Sequence, residues 1–197
     1  MADDDADLSK RRFLLTATSV ATGAAAAAAS VPFVASMLPS ERAKAAGAPV
    51  EVDISKLEPG QKAIVEWRGK PVWIVRRTKA MLAAIKEDTP RVADAASDDS
   101  EQPDYAKNWH RSIKPEYLVL VGICTHLGCS PVDRFADQPE PFESNWNGGF
   151  YCPCHGSLFD LAGRVYKNKP APTNLTVPPY RFTTDNSLVI GEDMESA

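Results

Sequence analysis

Two short loops contain most of the residues that could bind a metal ion. They read Cys-Thr-His-Leu-Gly-Cys, from Cys124 to Cys129, and Cys-Pro-Cys-His-Gly-Ser, from Cys152 to Ser157. Together they hold all four cysteines and two of the three histidines of the 197-residue chain. Soft thiolate sulfur and borderline imidazole nitrogen both suit transition metals. The loops therefore predict a single metal centre with sulfur on one side and nitrogen on the other.

Each loop carries one cysteine–histidine pair and one further cysteine. In chain order these are Cys124, His126 and Cys129 in the first loop, and Cys152, Cys154 and His155 in the second. The two further cysteines, one in each loop, are free to bond to each other and lock the loops together. Two alternatives are a structural zinc site and a pair of plain disulfides. Zinc sites rarely carry extra cysteines between their ligands, and two disulfides would leave the histidines unexplained.

The pattern Cys-x-His-x-x-Cys followed by Cys-x-Cys-His-Gly-Ser resembles the cluster-binding signature of Rieske iron–sulfur proteins of quinol-oxidising cytochrome bc complexes. The resemblance implies one [2Fe–2S] cluster per chain, with Cys124 and Cys152 on one iron and His126 and His155 on the other. It extends to an N-terminal membrane anchor and to a Pro-Ala-Pro segment at residues 170–172, which is similar to the family's proline loop. That loop covers the cluster on a third side.

The same resemblance implies roles for residues around the ligands. Cys129 and Cys154 match the family's disulfide. Ser157 would donate its hydroxyl to a bridging sulfide, which stabilises the reduced cluster and raises its potential. High-potential members usually have a tyrosine two residues after this serine, and its hydroxyl bonds a ligating cysteine. This chain has Phe159 there, so we expect a lower potential than in tyrosine-bearing relatives.

The ligand set determines the charge of such a cluster. Two ferric ions, two sulfides and two thiolates carry no net charge, whereas four thiolates would leave two negative charges. A neutral cluster accepts an electron more readily, which gives potentials of roughly −150 to +300 mV. Reduction places a negative charge beside two imidazoles, which then hold protons more tightly. Electron and proton uptake are therefore expected to be coupled, as oxidation of a quinol requires.

Extended segments are predicted on both sides of each loop. A continuous apolar run, 117–123, leads into the first loop, residues 149–151 lead into the second, and residues 159–165 leave it. Residues 131–149, between the loops, are rich in turn formers and are predicted to be loop. The last strands are predicted at 175–177, 180–183 and 188–190.

The chain before the first loop is predicted to form the first part of the same β core. Two β-rich runs around Arg68-Gly69-Lys70 predict a hairpin. Residues 78–86 have apolar side chains at helical spacing, with Thr78 as N-cap, and predict a short helix. Residues 87–112 are acidic and poor in apolar side chains, which indicates a long surface excursion. His110 at its end has no partner motif and is interpreted as a solvated or packing histidine.

The fold class predicted from these elements is all-β. We expect an antiparallel β-sandwich head over residues 49–197 with a cluster-binding subdomain inserted at about 118–175, preceded by one N-terminal transmembrane helix. Residues 39–48 are small and polar and are predicted to be a flexible hinge.

The N-terminus combines an export signal with an apolar run. Within residues 1–12, Ser-Lys-Arg-Arg and the Phe-Leu that follows resemble a twin-arginine signal, with Lys10 where the first arginine is usual. Residues 13–38 carry no charge and would span about 39 Å as a helix, enough to cross a bilayer core. Pro32 is expected to kink or end this helix. A cleaved signal peptide is the alternative to a retained anchor.

The net charge of −4 argues against general nucleic-acid binding. By resemblance, the chain is expected to be the electron-transfer subunit of a dimeric complex in the bacterial cytoplasmic membrane, with the head in the periplasm. Its partners would be ubiquinol, a cytochrome b subunit and a c-type cytochrome subunit, and His155 would receive the proton from quinol. The alternative is the Rieske small subunit of a periplasmic oxidase such as arsenite oxidase.

Overall fold

The computed structural model describes residues 2–136 and 138–193. The chain divides into an N-terminal unit, Met1–Ala45, and a second unit, Ala46–Ala197, which we call the head. Asp137, in the predicted loop between the cysteine-containing segments, and residues 194–197, at the end of the predicted head, lie outside the described residues.

The N-terminal unit is helical. Helix α1, Ala2–Ser36, contains Pro32 and continues past it, so the helix does not end at this proline. By length and composition one stretch of the described residues, Asp7–Ala45, could cross a membrane, with a mean hydropathy of 1.5. The anchor predicted at 13–38 lies inside this stretch.

A short helix, α2, Glu41–Ala46, lies in the segment predicted to be a flexible hinge. The Ser40 hydroxyl accepts a hydrogen bond of 3.2 Å from the Ala43 amide and so caps its first turn. The flexibility of the segment 39–48 stays a prediction.

Over its described residues the head contains three antiparallel sheets of three strands each, which confirms the all-β prediction. All three contribute side chains to one common core. The first has the order β1, Val50–Asp53, then β9, Ser187–Ile190, then β8, Tyr180–Thr184. The second has the order β2, Lys62–Trp67, then β3, Lys70–Arg76, then β4, Tyr117–Val121.

The predicted hairpin and helix are both present. Strands β2 and β3 join through Arg68 and Gly69, whose φ values of 53° and 70° match the two-residue turn that follows the twist of a hairpin. Helix α3, Lys79–Glu87, begins after Thr78, whose hydroxyl accepts the Met81 amide at 3.2 Å.

The third sheet carries the second cysteine-containing loop. It consists of β5, Val132–Arg134, β6, Gly149–Cys152, and β7, Ser157–Asp160. Phe150 and Phe159 lie opposite each other and enter the main core, whereas Leu158 faces a small second cluster. Alternation along a strand explains this division between two faces. Strand β5 lies in a segment that the sequence predicts to be loop. The sequence does not reveal this strand because its three residues are all exposed and show no apolar pattern.

The prediction of a surface excursion over residues 87–112 is wrong for part of this segment, which is buried. Asp88, Ser97 and Arg111 are each at most 1% exposed. The Arg111 guanidinium donates to the carbonyls of Ala162 and Gly163 at 3.2 and 3.3 Å. Polar side chains in this segment are buried because groups distant in sequence satisfy their hydrogen bonds.

Two predicted strands differ from the structure. Residues 175–177 form no strand, although the Thr176 carbonyl accepts the Val121 amide at 2.9 Å and so extends the edge of β4. The strand predicted at 159–165 ends at Asp160, and only an isolated bridge joins Phe159 to Val165.

Candidate metal centre

The first loop begins three residues after the end of β4. The Cys124 carbonyl accepts the Gly128 amide at 3.0 Å, and the Cys124 amide donates to the Cys129 carbonyl at 2.7 Å. These two bonds close a tight turn around His126. Leu127, at the tip of this turn, is 71% exposed.

The second loop is the turn of the hairpin formed by β6 and β7. Cys152 and Ser157 are the last residues paired across these strands. The Cys152 carbonyl accepts the Gly156 amide at 3.0 Å, which repeats the turn geometry of the first loop.

Both turns require backbone in the left-handed region. Gly128 and Gly156 have φ values of 83° and 75°, and a Cβ at either position would meet nothing within 4 Å. Glycine is therefore favoured at these positions by the backbone angle and not by lack of space.

The four cysteines divide into two kinds. Cys129 and Cys154 form a disulfide that joins the two loops. Cys124 and Cys152 are buried and carry free thiols. The sulfur atoms of Cys129, Cys152 and Cys154 lie within 4.8 Å of one another. The disulfide sulfurs offer no thiolate, so only the free cysteines are suitable metal ligands.

The two free thiols are neighbours in a poorly solvated site. Burial raises the pKa of Cys152, and the adjacent Cys124 thiol raises it further, while backbone hydrogen bonds from Cys154 and His155 oppose the rise. A thiol in this environment resists ionisation in the absence of a cation, and metal binding is what deprotonates such ligands.

The two histidines of the loops face each other. The rings of His126 and His155 have centroids 4.7 Å apart and are nearly perpendicular, at 88°. His126 Nδ1 is buried and has no hydrogen-bond partner among the described residues, whereas His155 is exposed. A buried nitrogen without a partner is unfavourable unless it coordinates a metal. The donors therefore fit a group that takes two sulfur and two nitrogen ligands.

A third segment closes over the loops through two hydrogen bonds. The Ser157 hydroxyl accepts the Ala171 amide at 3.0 Å, and the Thr125 hydroxyl donates to the Thr173 carbonyl at 2.7 Å. The proline-rich segment, through Ala171, and Thr173 directly after it are thus bound to one loop each. Sequence reasoning missed the contribution of Thr125, because a threonine beside a ligand carries no spacing signal.

The packing of Trp73 fixes the start of the first loop. A Cβ on Gly122 would lie 2.2 Å from its indole ring, so no larger residue fits there. The same ring stacks on Phe150, with centroids 5.1 Å apart, two residues before Cys152. One aromatic side chain of β3 therefore supports the approaches to both loops.

Two family models match the chain. The "Ubiquitinol-cytochrome C reductase Fe-S subunit TAT signal" model matches residues 1–40, and the "Rieske [2Fe-2S] domain" model matches residues 101–180. The second match contains both loops and the proline-rich segment.

Curated relatives match over nearly the whole chain. The ubiquinol-cytochrome c reductase iron-sulfur subunit of Allochromatium vinosum is 60% identical over 188 residues, which are 95% of this chain and 91% of that protein. The subunit of the same name from Bradyrhizobium diazoefficiens is 43% identical over 182 residues, 92% of this chain and 94% of that protein. A solved chain titled "Hyperthermophilic respiratory Complex III" is 28% identical, with 86% of this chain and 98% of that chain covered and a TM-score of 0.47.

Proposed function

Because the chain belongs to the family of Rieske iron–sulfur subunits of ubiquinol–cytochrome c reductase, we propose that its head takes an electron and a proton from ubiquinol. The chain carries a Rieske [2Fe–2S] cluster and is a subunit of this reductase. It therefore acts in a complex with cytochrome b and cytochrome c1. The electron would leave the head for the c-type cytochrome.

The proposed cluster ligands are Cys124, Cys152, His126 and His155. Two observations support this set: the free thiols are buried side by side, and His126 Nδ1 has no other partner. When bound, the cluster supplies the one-electron acceptor that the side chains of the protein lack. The disulfide holds the two loops at a fixed separation, and the proline-rich segment excludes water from one side.

His155 is the residue proposed to contact the substrate. Its ring is exposed while its partner His126 is partly buried, so a quinol hydroxyl can approach it. The ring nitrogen of His155 that is not a ligand would accept a hydrogen bond from this hydroxyl. The same nitrogen would then receive the proton, so that no charge is left on the quinol as its electron departs.

The N-terminal unit is proposed to anchor the head at the outer face of the bacterial cytoplasmic membrane. Helix α1 is long and apolar enough to span a bilayer, and the match to a twin-arginine signal model covers residues 1–40. Twin-arginine export moves folded proteins, which suits a head that acquires its cluster in the cytoplasm. We propose that the signal is retained, that the head lies in the periplasm and that the assembled complex is dimeric.

The main support for the proposal is the perpendicular pair of imidazoles. One of them has a buried nitrogen without a partner among the described residues, and the other is exposed. The test is an electron paramagnetic resonance spectrum of dithionite-reduced membranes with and without an inhibitor of quinol oxidation. We expect a Rieske-type signal that changes with the inhibitor. A Rieske-type signal that does not change with the inhibitor would refute contact between the head and the quinol site.

Substitution of each histidine distinguishes the cluster ligands from histidines that do not coordinate the cluster. The variants His126→Ala and His155→Ala are expected to lose the Rieske-type signal, whereas His110→Asn, at the third histidine, is expected to keep it. A signal that persists without either loop histidine, or zinc in place of iron by metal analysis, would overturn the assignment. The relatives reported above are reductase subunits, and no observation favours the alternative of an arsenite oxidase subunit.

A further inference from the structure

The proline-rich segment 170–172 makes few contacts of its own that could hold it over the two cysteine-containing loops. It lies in neither a helix nor a strand, and Pro170 and Pro172 have no amide hydrogen to donate. Among the described residues, its one hydrogen bond to a loop runs from the Ala171 amide to the Ser157 hydroxyl. The position of the segment therefore depends on how the chain is held at its two ends.

The end that enters the segment is held near the surface. The Lys167 amide donates to the Arg91 carbonyl at 2.9 Å, and the Lys167 ammonium donates to the Pro90 carbonyl at 2.8 Å. Lys167 is exposed, so water competes for its ammonium. This end alone gives a weak hold on the segment.

The end that leaves the segment is held in the interior by Asn174, which is 1% exposed. Its side-chain oxygen Oδ1 accepts the Val165 amide at 2.8 Å. Its nitrogen Nδ2 donates to the carbonyl and the carboxylate of Asp94 at 3.0 and 3.1 Å, and lies 3.4 Å from the Ser97 hydroxyl. A side-chain amide has one acceptor atom and one donor atom with two hydrogens, so these partners use both ends of the group.

The partners of Asn174 are themselves joined to each other. Val165 is 1% exposed, and its carbonyl accepts the amide of Ala93, the residue before Asp94, at 2.9 Å. The backbone amide of Asn174 also donates to the Ser100 hydroxyl, but the side-chain contacts do not require that bond. The side chain of Asn174 therefore fastens the end of the proline-rich segment to the interior of the head.

We propose that Asn174 is the residue that positions the proline-rich segment over the cluster. The Thr173 carbonyl, which accepts the Thr125 hydroxyl, belongs to the residue before Asn174, and Ala171 precedes it by three residues. Release of the Asn174 side chain would therefore loosen both contacts with the loops and admit water beside the cluster. The proposal rests on the proposed cluster site between the two loops, and Asn174 acts through the segment and not as a ligand.

The first test measures how closely water approaches the cluster. Reduced, cluster-containing full-length protein is exchanged into D₂O, and pulsed electron paramagnetic resonance records the deuterium modulation of the Rieske-type signal. Asn174→Ala is expected to give deeper modulation than the parent. The same variant is expected to lose the signal about 5- to 10-fold faster in the presence of an iron chelator, as loss of one buried hydrogen bond predicts.

Asn108→Ala is the matched control. The Asn108 side chain makes the same kinds of bonds, since Nδ2 donates to the Tyr105 and Ser112 carbonyls at 2.8 and 3.1 Å and Oδ1 accepts the His110 amide at 3.1 Å. A general loss of stability would act in both variants. We expect Asn108→Ala to keep the deuterium modulation and the chelator rate of the parent, so that only a positioning role distinguishes Asn174→Ala.

An exchange of groups between two residues provides a rescue. In Asn174→Asp the new carboxylate can accept the Val165 amide, but it has no donor for Asp94 and repels the carboxylate of that residue. The double variant Asn174→Asp, Asp94→Asn returns an N–H donor to this pair at the net charge of the parent. We expect deep modulation in Asn174→Asp and a return towards the parent in the double variant.

Hydrogen exchange of the parent, followed by mass spectrometry with residue-level fragmentation, tests the same link without a substitution. After correction for sequence-dependent rates, the Val165 and Ala171 amides are expected to exchange at similar slow rates. One of them binds Asn174, and the other lies in the segment that Asn174 positions. Exchange of Ala171 many times faster than that of Val165 would show that the segment moves independently of Asn174, and would overturn the proposal.

Three results with the variants would also overturn it. These are a parent-like modulation and chelator rate in Asn174→Ala, equal changes in Asn108→Ala, and a double variant no closer to the parent than Asn174→Asp. Failure of the proposed ligand set is recognised separately, as a signal that persists in His126→Ala or His155→Ala. The Asn174 variants are expected to retain a Rieske-type signal, so the two outcomes are distinguishable.

Discussion

The Ser157 hydroxyl oxygen accepts a 3.0 Å hydrogen bond from the backbone amide of Ala171. Ser157 is 1% exposed and is both the last residue of the second cysteine-containing loop and the first residue of β7. Because the hydroxyl acts as acceptor in this bond, its own proton remains available for a second partner. A sulfide of the cluster would be an electron-rich partner for this proton, so the serine could bind the proline-rich segment and the cluster together.

We expect Ser157→Ala to lower the reduction potential of the cluster. Loss of one hydrogen bond to a charged group is worth about 1.5 to 3 kcal/mol, or roughly 60 to 130 mV for a single electron. Redox titration of the purified protein measures the change. Ser100→Ala is the matched control, since Ser100 is also buried and its hydroxyl also accepts a backbone amide, that of Asn174 at 3.2 Å. An unchanged potential in Ser157→Ala would contradict the assigned role.

Phe159→Tyr is expected to raise the potential. Phe159 is fully buried, so a hydroxyl placed there needs an acceptor, and a ligating sulfur is the one that the family resemblance implies. A new hydrogen bond to sulfur stabilises the reduced cluster by about 1 kcal/mol or more, roughly 40 mV upward. Phe150→Tyr, at the residue paired with Phe159 across the sheet, controls for burial of a hydroxyl. No upward shift in Phe159→Tyr would refute the hypothesis.

Loss of the disulfide is expected to destabilise the metal centre. Cys129 and Cys154 are 25 residues apart, and closure of a loop of this length stabilises a fold by about 3.5 kcal/mol in the chain-entropy model. The double variant Cys129→Ala, Cys154→Ala leaves no new free thiol. We expect its Rieske-type resonance to decay faster than that of the parent in a time course at fixed temperature. An equal decay rate would show that the other contacts suffice to hold the loops together.

Acid is expected to destabilise the head through His110. Burial, and then the positive charge of Arg77, lower the pKa of His110 from 6.5 to about 4. The unfolded chain therefore binds a proton below pH 6.5 that the folded head binds only near pH 4. This contribution to stability is complete above pH 6.5 and is lost as the pH falls towards 4, by about 2 kcal/mol after allowance for partial exposure.

Urea unfolding midpoints of the parent and of His110→Asn, compared at pH 7 and pH 5, test this dependence. Asparagine can preserve the contact that His110 Nδ1 makes with the Ser112 hydroxyl at 2.9 Å but does not titrate in this range. We expect a smaller loss of stability between the two pH values in the variant. Identical losses would assign the acid sensitivity to other groups.

The sequence alone determined the chemistry of this protein, because that chemistry is encoded locally. The candidate ligands lie within two six-residue loops, and the glycines that turn each loop follow its first cysteine by four residues. The hairpin at Arg68-Gly69 and the helix capped by Thr78 were likewise predictable from neighbouring residues.

The tertiary structure decided which polar groups are buried and what they contact. The segment 87–112 has a polar surface composition, yet Arg111 lies in the interior because carbonyls about fifty residues away accept its hydrogen bonds. The Thr125 hydroxyl reaches the Thr173 carbonyl through packing that leaves no periodic pattern in the chain. Local spacing predicts a turn or a ligand set, whereas contacts between distant segments depend on how the sheets assemble.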